Sequence, residues 1–423
     1  MNNKKTGAFN LGGRGFLMVI LSFLSCYMYS ALTSDMINVM PDAYAGIYQI
    51  DANAIATLPT IAAFVGIITS IIWGKLMSVS TASKMWSVSM FITGIFAIIW
   101  STGKTFPVFA IGYFVCYACT LASAMLLSYQ VLAYWFPTKR GAALGIATAG
   151  FPLSAATTAN FCGMFAGTGH PEMYFRIVGI IALVLGVVIL LVVRDFPEEV
   201  GAYPDNNKEF DFETEKKKHK ENLEYLKKSK WTVKKCLMTG RMWVLWVAVG
   251  ATGFLSMGIM SNFVGKFLEQ GYDMGTIMVM LAVSGVLAIP GSMIVGWLDV
   301  RFGTKKAGVI VNAAALIAVV FNLTSIRPLH FISLPILACM LGGSSNLMAS
   351  CTSAIWGRYD FQNAFRVIQP LNSLMTGVGI TVVFIIGHNV SYWMAYAAMA
   401  VIAAAGLIAM IALKVEPIDD EVR

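Results

Sequence analysis

Asp35 is the residue whose type and position bear most directly on chemistry. It sits in Ser30-Ala-Leu-Thr-Ser-Asp-Met-Ile-Asn-Val-Met-Pro41, 20 residues beyond Gly15 in one apolar run. At about 1.5 Å per residue that is roughly 30 Å along a helix. A carboxylate at membrane depth is costly, so it is a candidate to take up a proton in one access state and release it in another. The plainer reading is an interfacial Asp that caps the helix end or meets water. Arg366, close to Arg358 and Asp360, offers a guanidinium fork to an anion, helps close a gate, or snorkels to the interface. Uncharged hydrogen-bonding side chains recur in other apolar runs, namely Tyr27, Tyr29, Gln130, Asn262, Asn346, Gln369 and Asn372. Gln369 and Asn372 are three apart, hence on one helix face, and Pro370 between them removes a backbone donor. Such amides either bind a polar solute or tie helices together.

The elements that hold these residues follow from composition. Of 423 residues 57% are hydrophobic and 12% charged, about half the roughly 25% charge of a soluble domain. A soluble enzyme, a disordered chain and a single-anchor receptor are thereby excluded. Apolar runs long enough to cross about 30 Å of hydrocarbon predict an all-α membrane protein with twelve transmembrane helices. The expected spans are 15–38, 52–77, 84–103, 107–135, 141–167, 173–193, 242–265, 273–298, 306–325, 329–356, 362–387 and 390–413. Seven Cys fall mostly inside these runs and read as small packing residues. Four scattered His, with no H-E-x-x-H, give metal chemistry no ligand set, and no phosphate-binding loop is present. No enzyme activity, metal or cofactor is therefore expected.

Lys and Arg accumulate in cytoplasmic loops. With the N-terminus inside, 26 of the 30 basic residues fall on the cytoplasmic side, and only Lys104, Arg176, Lys266 and Arg327 fall outside. Both termini are expected in the cytoplasm of a multi-pass protein of the inner (cytoplasmic) membrane. The net charge of +8 is then explained by topology and anionic lipid, with no call for nucleic acid. Hydropathy collapses between Asp195 and Arg241, and Trp231 to Met242 alternates basic and apolar residues as an interfacial helix does. The expected organisation is a six-helix bundle over 1–194, a cytoplasmic linker over 195–241, a second six-helix bundle over 242–413 and a tail over 414–423.

The two halves repeat. Gly74-Lys-Leu-Met-Ser-Val-Ser-Thr-Ala-Ser-Lys84 has its counterpart in Gly296-Trp-Leu-Asp-Val-Arg-Phe-Gly-Thr-Lys-Lys306, with the glycines 222 residues apart. Trp135-Phe-Pro-Thr-Lys-Arg-Gly141 has its counterpart in Trp356-Gly-Arg-Tyr-Asp-Phe-Gln362, with the tryptophans 221 apart. Two parallel copies of six spans suit a transporter whose halves rock about a central site. The second copy of the first motif resembles the loop signature of the major facilitator superfamily. That resemblance implies two pseudo-symmetric bundles and an inner gate latched by charges at helix ends, here Asp299, Arg301 and Lys305 with Arg140 and Arg366. The first copy has Ser78 and Val79 where Asp and Arg stand in the family.

Three stretches resemble the oxalate/formate antiporter family and its monocarboxylate-transporter relatives: Tyr134 to Gly145, Met242 to Trp246, and Gly342-Gly-Ser with Leu347, Ser350 and Gly357. In that group the resemblance implies one basic residue in span 8 and one in span 11, and matching puts Ser292 and Asn372 there. The aromatic enclosure is replaced by Leu341, Ser345 and Gln369, while Phe151 remains aromatic. Oxalate itself is not expected, because a dianion in a cavity without fixed positive charge meets a large desolvation cost. The segment around Asp35 resembles the first span of proton-coupled multidrug antiporters. Two functions stay open. The first is a secondary active transporter of a small carboxylate-bearing or polar metabolite, driven by protons or exchange. The second is a proton-coupled exporter of amphipathic or lipophilic compounds. The expected partners are the solute, a proton or counter-substrate and membrane lipid, and a monomer suffices because one chain holds both halves.

Overall fold

A polypeptide in hydrocarbon must satisfy its own backbone hydrogen bonds, and an apolar run does so as a helix. The computed structural model describes residues 9–33, 35–38, 40–50, 54–55, 58–77, 79–207, 212–227 and 229–418, and every regular element among them is helical. The N-terminal helices are α1 (Gly13–Thr33), α2 (Met40–Tyr48), α3 (Leu58–Leu76), α4 (Ala82–Thr102), α5 (Phe106–Trp135), α6 (Arg140–Gly167) and α7 (Glu172–Val192). The connection carries α8 (Phe212–Lys227) and α9 (Val233–Leu237). There follow α10 (Gly240–Ser261), α11 (Phe263–Glu269), α12 (Met274–Phe302), α13 (Thr304–Leu323), α14 (Arg327–Asn389) and α15 (Tyr392–Ala412).

Ten helices are long and apolar enough to span among the described residues, with a shorter apolar stretch at Ile61–Leu76 in α3. Gly357 supplies the remaining division. Its φ of 74° breaks α14 into two arms, a conformation glycine adopts without a Cβ penalty. The expected loop after Trp356 is thus a one-residue reversal. The result is the twelve-helix architecture, with Ser78 outside the described residues.

Three expected boundaries move. α1 ends at Thr33, and Asp35–Asn38 forms a 3-10 turn before α2 restarts at Met40. Pro41 explains the restart, because proline fits the first helical turn and not the interior. The seventh span breaks at Asn262 (φ −119°), so α11 is a separate segment. Of the expected interfacial helix only Val233–Leu237 forms, capped by the Thr232 side chain, with Lys235 over the Trp231 ring.

Glycines set the closest approaches. α4 lies against α7 where a Cβ on Gly94 would stand 2.7 Å from the Gly179 carbonyl oxygen. α13 and α15 pack in the corresponding way, Gly406 leaving room for the Asn312 amide. α10 lies against α14 and α15. The N- and C-terminal helices meet chiefly where α6 crosses α12 and where α3 meets α14.

Candidate functional site

The crossing of α6 and α12 is backbone against backbone. A Cβ on Gly296 would stand 2.2 Å from the Gly141 carbonyl oxygen, and one on Gly145 would stand 2.7 Å from that of Ser292. Asn346 donates to the Gly141 carbonyl (3.2 Å), and Arg140 Nε to that of Ser350 (3.0 Å). Asp299 is buried against Gly141. The Arg366 stem lies on Gly74, its Nε buried without a partner. The described ends of the chain meet this same face, since Lys139 Nζ donates to the Asn10 carbonyl and the Ile418 N–H to that of Ile355. We call it the termini face, and here the seam is shut.

A buried ion pair across the seam involves Glu198, which sequence reasoning did not single out. Arg358 grips Glu198 with both terminal nitrogens (2.8 and 3.0 Å) and donates from Nε to the Tyr134 carbonyl (2.6 Å). Both charged side chains are nearly buried, at 10% and 2% exposure. Phe196 stacks on Tyr134 at 4.1 Å, and the guanidinium lies over the Phe196 and Tyr359 rings. The segment holding Glu198 is itself pinned. Asp195 accepts from the first N–H groups of α4, at Ala82 and Ser83 (3.0 and 2.7 Å). Asp205 accepts from Thr138 N and Oγ1 and from Lys139 N. Of the expected latch residues, Arg301 stacks instead on Trp297 and Phe302, and Lys305 is exposed. The available signal was three acids at 195, 198 and 205 set among basic helix ends.

Asp35 lies past the end of α1, not inside it. Ser154 Oγ donates to its Oδ2 at 2.5 Å, and Thr158 Oγ1 stands 2.9 Å from Ser154. Tyr113 and Tyr174 satisfy the last α1 carbonyls, at Thr33 (2.7 Å) and Ala31 (2.8 Å). The helix end beside Asp35 is thus capped by two phenols. The carboxylate itself is held by α6.

The expected lining residues divide into groups. Tyr29 meets Phe151 edge-on at 6.0 Å and Tyr117 at 5.8 Å, forming an aromatic wall. Gln369 Nε2 reaches Ser373 Oγ (3.2 Å) and the Met125 sulfur (4.0 Å), which lies in a π-turn of α5 (Ala122–Leu127). Such turns recur at functional sites. Asn372 packs on Gly253 of α10, and the Gln369 and Asn372 oxygens are both unpartnered. Ser292, Asn346 and the buried Gln130 belong to the termini half of the molecule, and the first two lie in the seam itself. Asn262 ties the end of α10 to Gly258 and Ile380. Tyr27 bonds Thr157 (2.9 Å) and lines a groove of about 250 Å³ between α1, α6 and α7. Among the described residues no group of three metal-ligating side chains occurs.

The profile of the Major Facilitator Superfamily matches residues 16–365. The sequence matches no curated protein. In three dimensions the chain resembles the MFS proton:xylose symporter XylE bound to 6-bromo-6-deoxy-D-glucose, with a TM-score of 0.71 over 93% of this chain and 94% of that one, at 14% identity.

Proposed function

Because the chain belongs to the Major Facilitator Superfamily, and is thus a transporter and not an enzyme, we propose that it carries a small organic solute by alternating access. The solute is a polar or carboxylate-bearing metabolite, and transport is coupled to protons or to exchange. In this reading residues 1–194 and 242–413 are the rocking bundles, 195–241 the linker and 414–423 the tail. The basic-residue asymmetry supports a cytoplasmic termini face, and the protein is read as one of the inner (cytoplasmic) membrane. The structure is then an inward-closed state of a monomer.

The observation that carries the reading is the setting of Asp35. A carboxylate at a break in α1, held by Ser154 of α6, joins the segment that would bind a proton to a helix of the closed seam. Uptake of a proton removes the charge that Ser154 donates to. Weakening of that charge-assisted contact would loosen α1 from α6 and bias the seam. The wall of Tyr29, Tyr117 and Phe151 faces the solute in this scheme, with Gln369, Asn372 and Ser373 opposite. Ser292, Asn346, Gln130, Arg140, Asp299 and Arg366 act in closing the termini face.

The test is thermal stabilisation of the purified protein by mono- and dicarboxylates, sugars, amino acids and lipophilic cations, each at pH 5.5 and 7.5. Small polar solutes should stabilise, with a pH dependence that Asp35→Asn abolishes. Stabilisation by lipophilic compounds alone would favour the exporter instead. An unchanged pH dependence in the variant would remove Asp35 from coupling.

A further inference from the structure

One lysine away from the seam is buried without an ion pair among the described residues. Lys266 on α11 is 1% exposed. Its Nζ lies 5.0 Å from the centre of the Tyr396 ring on α15, and it has no acceptor or ion pair among the described residues. Polar atoms on the surrounding helices are equally unpaired: Gln270 Oε1, Asn322 Oδ1 and Tyr396 OH. Tyr174 stands 222 residues before Tyr396, at the repeat offset, and its hydroxyl does find a carbonyl, that of Ala31.

Apart from the Tyr396 hydroxyl, the charged groups and the histidine on the surrounding helices already hold hydrogen-bond partners. Glu269, on the same helix, accepts from the N–H groups of Tyr392 and Trp393 at the start of α15 (2.7 and 3.4 Å). Asp273 accepts from Thr276 at the start of α12. His330 on α14 accepts from the Tyr272 hydroxyl at Nδ1 (2.8 Å) and donates from Nε2 to the Thr324 carbonyl (2.9 Å), an arrangement that satisfies a neutral imidazole. Arg327 lies over the Tyr272 ring and donates to the Gly271 carbonyl. Glu269 is the carboxylate whose charge reaches Lys266, but among the described residues it makes no ion pair with it, and a cation held away from water costs far more than a neutral amine.

We propose that Lys266 is a second proton-binding site, separate from Asp35, whose uncharged form holds α11 against α14 and α15 and whose protonated form releases it. The proton comes from the solvent. The new ammonium draws water, and α11 leaves its berth by bending at the Asn262 break. Burial brings the Lys266 pKa down to about 8, with Glu269 opposing the shift. The sign follows from linkage: the released segment, with an ordinary lysine, binds the proton more tightly than the docked one. Docking therefore strengthens as pH rises from about 8 toward the ordinary lysine value of about 10.4.

Hydrogen–deuterium exchange of amides 263–272 in the purified full chain, corrected for intrinsic rates from pH 7 to 9.5, reads this directly. In the wild type the opening equilibrium should be flat below about pH 8 and fall by up to about tenfold per unit above it. Lys266→Met should be protected and flat throughout, and Asp35→Asn should keep the wild-type slope. A flat wild-type profile overturns the proposal even where Lys266→Met fails to fold. The same slope in Lys266→Met, or its loss in Asp35→Asn, overturns it as well. The substrate and the Asp35 coupling scheme do not enter this measurement, so the two readings fail separately.

Discussion

Asp205 shows how much a single side chain contributes where the backbone has no other recourse. Its φ of 56° lies in the left-handed region, which Asp tolerates better than most residues. Its carboxylate takes up the Thr138 and Lys139 N–H groups that open the turn into α6. Removing an ionised acceptor strands buried donors, at about 1.5–3 kcal/mol per charged hydrogen bond before relaxation. Asp205→Ala should therefore lower stability by about 3 kcal/mol, read as a fall in the melting temperature of the detergent-solubilised protein. No fall would mean that water replaces the carboxylate. Asp35 is the opposite case. It accepts a short bond from Ser154 in a turn beyond the end of α1, so losing its charge should alter a conformational preference more than the fold.

The connection between α7 and α10 is more than a tether. The 3-10 turn Pro197–Val200 brings Glu198 under the seam, while Asp195 and Asp205 fasten the segment to α4 and to the turn before α6. Farther along, Asp360 accepts from Tyr225 and Ser229, and Trp231 meets Trp356 edge-on. Breaking a buried ion pair by removing one partner leaves an uncompensated charge and costs about 3–5 kcal/mol. Much of that penalty falls on the closed state, where Arg358 is buried. Cys351 is fully buried within electrostatic reach of Arg140 and Asp299, and reports on closure. In Glu198→Gln, maleimide labelling of Cys351, followed by mass spectrometry, should rise at least about tenfold. Unchanged labelling would show that the Arg358 grip is not what keeps the seam shut.

For the molecule as a whole, closure rests on glycine-to-backbone contact between α6 and α12. A side chain at Gly145 must meet the Ser292 carbonyl, which cannot swing away as a side chain does. Overpacking costs about 1–3 kcal/mol. Gly145→Val should thus disfavour the closed seam and raise Cys351 labelling at least about fivefold, while Gly163→Val, with nothing within 4 Å, should be silent. Equal behaviour of the two variants would mean that the crossing does not govern closure.

The number and helical character of the spans were legible because hydrocarbon leaves an apolar run only one way to pair its backbone. Residue type explains the restart at Met40–Pro41 and the break at Gly357, but the expected span 15–38 ran past the first, and the tertiary structure decided their consequences, an Asp35 turn outside α1 and a one-residue reversal. Pairing was not legible. Glu198 and Arg358 stand 160 residues apart and Asp35 and Ser154 119 apart. Hydropathy records how deep a residue lies but not which way its helix is rotated or which face of the bundle is closed. That rotation sent Arg301 onto Trp297 and not into the gate, and placed Ser292 and Asn346 in the seam. It also turned Lys266, read from sequence as an external loop charge, into the core of the C-terminal helices.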